Sequence, residues 1–158
     1  MNLIFVKNEA EFCNVVKKSM ICSYKIPDPS GVYANTIKRS FDGIGMLSIN
    51  DELKFVCWEA KFLKKPQAFN FNRIEKHQSF YLKEYSKSNV LCFVIVGINY
   101  GRADKRVLIF RWDEDMDALF EKGFSIHLKK LNTLPFNKIE KGVFNFDNII
   151  EYKDLVHH

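Results

Sequence analysis

Three side chains of this chain could do chemistry together: Asp42, and seventeen residues later the pair Glu59 and Lys61. They belong to Cys57-Trp58-Glu59-Ala60-Lys61, which reads as the end of a strand, followed by a basic, aromatic loop and a helix carrying Gln78. Alternate strand residues share a face, so Glu59 and Lys61 project on the same side, about 7 Å apart. An acid and an amine on the core-facing side of a strand are costly to desolvate. A metal ion and a phosphate between them would offset that cost. An acid, then Glu-x-Lys, then a helix bearing Gln78 predicts metal-dependent cleavage of phosphodiesters. The bland alternative is an ordinary hairpin with a salt bridge, since Glu-x-Lys alone is very common.

The elements around these residues follow from pattern. Phe41–Ile49 and Leu53–Lys61 read as two strands of a hairpin joined by the turn Asn50-Asp51-Glu52. Asp42 begins the first strand and Glu59 nearly ends the second, so pairing across the turn brings the two carboxylates together. Phe55, Cys57, Glu59 and Lys61 share one face; Val56, Trp58 and Ala60 share the other. Phe62–Asn72 reads as a loop in which Lys64 and Lys65 precede Phe69-Asn70-Phe71-Asn72. Those aromatics either stack on bases or tuck the loop onto the core. Arg73–Lys87 reads as a helix with Ile74, Gln78, Tyr81 and Tyr85 on one stripe. A buried Gln78 needs hydrogen-bond partners, which a ligand at the Glu59 site would supply; a glutamine at the edge of the stripe fits the spacing equally well. His77 lies at that edge, as a structural or exposed residue.

Upstream, residues 8–20 form a helix capped by Asn8, with Glu9 and Glu11 in its first turn and Lys17 and Lys18 in its last. Glu11 is favourable charge at a helix start before it is a site residue. Residues 22–41 are irregular, with Pro27, Pro29 and Gly31 turning the chain. Lys38-Arg39, just before Asp42, would hold DNA phosphates or form a solvated loop. Downstream, Val90–Ile98 is a continuous apolar run that suits a strand buried on both faces. Arg106–Trp112 is another strand, and Asp113 caps a short acidic helix closed by Gly123. From Phe124 onward one more short strand or helix precedes a tail from Asn132, packed through Phe136, Phe144, Phe146, Ile149 and Ile150. The order predicts a single mixed α/β domain over 1–158, with helices on both faces of the sheet.

Composition limits the partners. The formal charge is +5, which favours an anionic partner. Residues 54–76 carry six basic residues (Lys54, Lys61, Lys64, Lys65, Arg73, Lys76) against Glu59 and Glu75, whereas residues 113–121 carry five acids and no base. The cationic stretch therefore coincides with Glu-x-Lys. Cys13, Cys22, Cys57 and Cys92 are scattered and read as reduced thiols of a cytosolic protein. Val90–Ile98 is too short to span a bilayer as a helix. A soluble, cytoplasmic protein is expected.

Lys38-Arg39-Ser40-Phe41-Asp42-Gly43, Trp58-Glu59-Ala60-Lys61, Phe69-Asn70-Phe71-Asn72-Arg73-Ile74 and His77-Gln78 together resemble the PD-(D/E)XK nucleases, and within them the Holliday junction resolvases of the RecU type, including short phage and prophage forms. Lys25-Ile26-Pro27-Asp28-Pro29 adds to the likeness, which covers about residues 10–112 in consistent order. The resemblance implies a restriction-endonuclease-like mixed sheet flanked by helices. It implies a homodimer that binds branched DNA and nicks four-way junctions symmetrically with Mg²⁺ or Mn²⁺, with no membrane and no nucleotide cofactor. Asp42 and Glu59 would be metal ligands, Lys61 would steady the phosphate and position or activate the attacking water, and Gln78 would support the site from its helix. Lys38, Arg39, Lys64, Lys65, Arg73 and Lys76 would contact DNA. Hard divalent cations take carboxylate oxygens, and Mg²⁺ keeps waters that serve as nucleophile. This sequence departs from the family where an acid often stands two residues before the glutamate: here it is Cys57. The segment Gly31–Ser40 is also short for the protruding stalk of larger members. Two rival expectations are a PD-(D/E)XK nuclease of other DNA specificity and a non-catalytic DNA-binding module of the same fold.

Overall fold

A computed structural model describes residues 6–27 and 40–156. Helix α1 (Glu9–Lys18) starts as its sequence dictates, with the Asn8 side chain accepting from the Glu11 N–H. The Glu11 carboxylate accepts in turn from the Lys7 N–H at 2.6 Å, so it serves the helix start. Strands β1 (Cys22–Lys25), β2 (Gly43–Ile49) and β3 (Glu52–Leu63) follow. The β2–β3 hairpin is closed by Asn50 and Asp51 with φ of 52° and 64°. Asparagine and aspartate tolerate the left-handed region better than other residues with a Cβ.

Strand β4 (Phe69–Asn70) and a 3-10 turn (Phe71–Arg73) lead to α2 (Lys76–Ser86), which crosses over to β5 (Leu91–Asn99). Because β3 and β5 are parallel neighbours, the chain needs that helical crossover. β6 (Lys105–Arg111), α3 (Glu114–Glu121), β7 (Ser125–Ile126), α4 (Leu128–Leu131), β8 (Asn137–Lys138) and α5 (Tyr152–Val156) complete the order. The main sheet runs β1-β2-β3-β5-β6-β8, mixed through the parallel pairing of β3 with β5. α1 buries Phe12, Val15 and Val16 against Trp58, Ala60, Phe93 and Ile95 on one face. Leu82 of α2, with Met116 and Leu119 of α3, covers Cys57, Cys92, Val94 and Val96 on the other. The expected α/β architecture is therefore present, and β5 is the buried central strand.

Several local expectations change. β1 is a strand where only an irregular stretch is expected; it forms by pairing with β2. β3 runs on to Leu63, and Phe69 and Phe71 are fully buried, so these rings belong to the core rather than to a DNA surface. α2 begins three residues later than expected and turns Gln78, Ser79 and Leu82 inward, leaving Tyr81 and Tyr85 exposed. The reason is polar: Ser79 Oγ donates to Asp117 Oδ1 at 2.6 Å and accepts from Trp112 Nε1 at 3.0 Å. Each buried polar atom in that network has a partner, so a serine replaces a tyrosine on the buried face. The tail holds more elements than expected and is fastened by Asn137, whose amide exchanges hydrogen bonds with the Asn148 backbone.

Candidate active site

Gly43 pairs with Trp58 at the start of the β2–β3 ladder, so Asp42 comes next to face Glu59. Three contacts lock that start. The Ala60 N–H donates to Asp42 Oδ2 at 2.8 Å, the Ile26 N–H donates to the Asp42 carbonyl at 2.7 Å, and Trp58 Nε1 donates to Ser23 Oγ at 3.1 Å. Gly43 is required for close approach: a Cβ there would lie 2.3 Å from a carbon of the Trp58 indole.

Asp42 and Glu59 are each only 2% exposed. Lys61 Nζ stands 3.2 Å from Glu59 Oε2. Glu59 Oε1 is buried and accepts no hydrogen bond from the described residues. Burial first, and then the Asp42 carboxylate, raises the Glu59 pKa to about 8 against the pull of Lys61. Two carboxyls this close cannot both ionise cheaply without a cation. Cys13 on α1 lies 3.9 Å from Asp42 Oδ2, and burial followed by the Asp42 charge pushes its thiol up to about 12. It therefore lines the site as a neutral group. The positive charge of Lys25 also reaches Cys13. The sequence alone gives neither Cys13 nor Lys25 a site role; Cys13 stands near Glu11 on the helix where the family resemblance would place a further acid.

Two carboxylates and an orphaned buried oxygen suit a hard divalent cation such as Mg²⁺ or Mn²⁺, which takes one or two carboxylates and completes its shell with water and phosphate. Among the described residues no group of three or more His, Cys, Asp and Glu is gathered for a metal. Cys57 occupies the position of the missing acid. It is buried in register with Cys92 of β5, and the Cys57 sulfur together with burial pushes the Cys92 thiol up.

The other expected site residues are placed as follows. Gln78 is buried in the first turn of α2, where its Oε1 accepts from the Glu75 N–H at 3.0 Å, a capping role. His77 Nδ1 lies 3.3 Å from Glu75 Oε2. Lys64, Lys65, Arg73 and Lys76 are exposed. The first three line a cleft of about 480 Å³ with Phe62 and Gln67, reached directly from the end of β3. Lys38, Arg39 and most of Gly31–Ser40 lie outside the described residues.

Residues 38–158 match the model of the family described as RecU, Recombination protein U. The chain belongs to the RecU family. The match begins at Lys38 and takes in Asp42, Glu59, Lys61, Gln78 and the whole basic cleft. A search of curated protein sequences returned no match. RecU proteins are recombination nucleases that act on branched DNA, and the mixed six-stranded sheet flanked by helices agrees with a restriction-endonuclease-like fold. Among the described residues of this RecU-family chain no helix is long and apolar enough to cross a membrane.

Proposed function

We propose that this chain is a metal-dependent endonuclease that nicks four-way DNA junctions as a homodimer, a short form of the phage and prophage kind, working at the nucleoid in the cytoplasm. The observation that carries the reading is the buried Asp42–Glu59 pair with Lys61 beside it and Glu59 Oε1 left without a partner. Asp42 and Glu59 would hold Mg²⁺ or Mn²⁺. The bound metal would lower the pKa of its water and stabilise charge on the scissile phosphate.

The protein's own groups supply the remainder. The Ala60 N–H fixes the Asp42 carboxylate, so the site is organised before substrate arrives. Lys61 neutralises charge on the phosphate; its pairing with Glu59 holds the ammonium at the mouth of the carboxylate pair. Gln78, through its cap on Glu75, fixes the start of α2. Lys64, Lys65 and Arg73 take phosphates flanking the cut, and exposed Lys76 adds positive charge beyond the cleft; Lys38 and Arg39 remain proposed DNA contacts on the ground of their charge alone. The apolar face formed by Tyr24, Ile44 and Phe55 supports a homodimer.

The test is cleavage of a labelled four-way junction and of a matched linear duplex, with Mg²⁺ and with EDTA, by the wild type and Asp42→Asn. Paired nicks in the junction that need the metal and vanish in the variant are the expected result. Equal cleavage of both substrates would replace junction selectivity with a general nuclease. Tight junction binding without cleavage in either metal would leave a DNA-binding module and overturn the enzymatic reading.

A further inference from the structure

The outer face of α2 carries a feature that the cleavage chemistry does not use. Phe80 and Tyr81 are 49% and 39% exposed, and their rings meet edge to face at 5.4 Å and 77°. With Asn72, Lys76, His77 and Phe120 they line an open, mostly apolar groove of about 780 Å³. Cations bracket the rings. Lys76 lies one turn before Phe80, and Lys83 Nζ stands 5.5 Å from the centre of the Phe80 ring. Glu75, the carboxylate at the rim, is occupied by His77 at 3.3 Å. Arg73 lines the basic cleft while its chain neighbours Asn72 and Ile74 line the groove, so the two depressions adjoin.

We infer that this groove receives an unpaired DNA base from the branch point, stacked on Phe80 in the corner it makes with Tyr81. The inference rests on the reading of the chain as a nuclease of branched DNA. Solvent-exposed aromatic faces among cations are the arrangement by which proteins hold single-stranded nucleic acid, because every base has a π-face and every linkage a charge. A strand whose phosphates lie on Lys64, Lys65 and Arg73 passes the opening of the groove. A base at a branch has partners to lose on fewer sides than one within a duplex, and extruding it costs least there. The rings would thus favour a branched substrate over a linear one, while the basic cleft serves both.

The experiment uses the full chain in Ca²⁺, with four-way junctions carrying a single 5-iododeoxyuridine at successive positions around the branch. Irradiation should crosslink the branch-point position, and no duplex-arm position, to the peptide that holds Phe80 and Tyr81. In fluorescence anisotropy Phe80→Ala should lose about tenfold more affinity for a junction with unpaired branch nucleotides than for a linear duplex, in line with the worth of one stacked base. Phe80→Leu keeps the apolar bulk and should show the same differential loss. Recovery by leucine, or equal losses on both DNAs, would overturn stacking. Crosslinks confined to other peptides would overturn the site, as would a Phe80→Glu change that shifts the protein's own mass in ultracentrifugation, which would assign the groove to a second copy. If the wild type binds junction and linear DNA alike and cleaves neither, the nuclease reading itself fails. Metal-dependent junction cleavage with no aromatic crosslink removes only the groove.

Discussion

Asp42 Oδ2 accepts the backbone N–H of Ala60, the residue between Glu59 and Lys61, at 2.8 Å. That bond ties the start of β2 to the end of β3, at the point where an acid, a second acid and an amine converge. A backbone donor satisfies one oxygen of Asp42 without neutralising its charge, so the carboxylate stays available to a cation. The burial of Glu59 beside it then costs stability unless a proton or a metal is present.

The first expected consequence concerns pH. The Glu59 pKa rises from 4.5 to about 8 on folding. The folded state therefore holds this proton more tightly, and its contribution is complete below about pH 4.5 and lost as pH climbs through 8. At about 1.4 kcal/mol per unit, the loss is on the order of 5 kcal/mol. Metal-free wild type should lose melting temperature across that window, and Glu59→Gln should remove most of that dependence while abolishing cleavage. Parallel pH profiles for the two proteins would show that Glu59 is not the buried, proton-holding group.

Metal binding should carry the same proton. Because a carboxylate must be deprotonated to act as a ligand, Mn²⁺ affinity should rise with pH up to about 8 and then level off, since Glu59 titrates there. Calorimetry in buffers of different ionisation enthalpy should detect close to one proton released per metal at neutral pH. A pH-independent affinity would assign the cation elsewhere.

These carboxylates were the most legible part of the chain, and for a physical reason. The hairpin that joins them is local: alternation in β3 and the turn residues Asn50 and Asp51 lie within one short stretch. What escaped reading depends on distant partners. Ser79 is buried through Asp117 and Trp112, more than thirty residues away, so the local apolar pattern does not give the inward face of α2. Phe69 looks like an exposed loop aromatic until β4 pairs with β7 at Ile126. β1 is short, largely exposed and followed by Pro27, and only its pairing with β2 makes it a strand. Cys13 reaches Asp42 through packing of α1, which no local pattern encodes.

Gly43 should tolerate no side chain. A Cβ at 2.3 Å from the Trp58 ring must displace either the indole or the strand, and overpacking of this kind costs about 1–3 kcal/mol. Gly43→Ala should lower the melting temperature. It should also reduce cleavage by more than the unfolded fraction explains, because the displaced strand carries Asp42. Full specific activity in the folded variant would show that the Asp42 position is insensitive to this packing.

The basic cleft should be visible as salt dependence. If Lys64, Lys65 and Arg73 each neutralise one phosphate, the triple alanine variant should bind linear duplex more weakly. Its slope of log affinity against log salt should be shallower by about 0.9 per contact removed. Cleavage per bound junction should stay metal-dependent, since Asp42 and Glu59 are untouched. An unchanged slope would remove these residues from the DNA path.

The final expectation concerns assembly. Tyr24 on β1 and Phe55 on β3 are 69% and 65% exposed on one sheet face, either side of β2, beside an apolar hollow of about 330 Å³ lined also by Ile44, Met46 and Cys57. Apolar surface left open in this way marks an interaction site more often than a solvated one. A two-fold partner using the same patch would bury both copies of it and set two Asp42–Glu59 sites against opposite strands of a junction, which symmetric nicking requires. Phe55→Glu introduces a charge at the centre of that patch without touching the core. It should convert a dimer to a monomer in analytical ultracentrifugation with its circular dichroism intact. Junction nicks should then lose their pairing: single nicks would accumulate before a second cut. A variant that stays dimeric, or a wild type that is monomeric with paired nicking intact, would place the subunit contact away from this face.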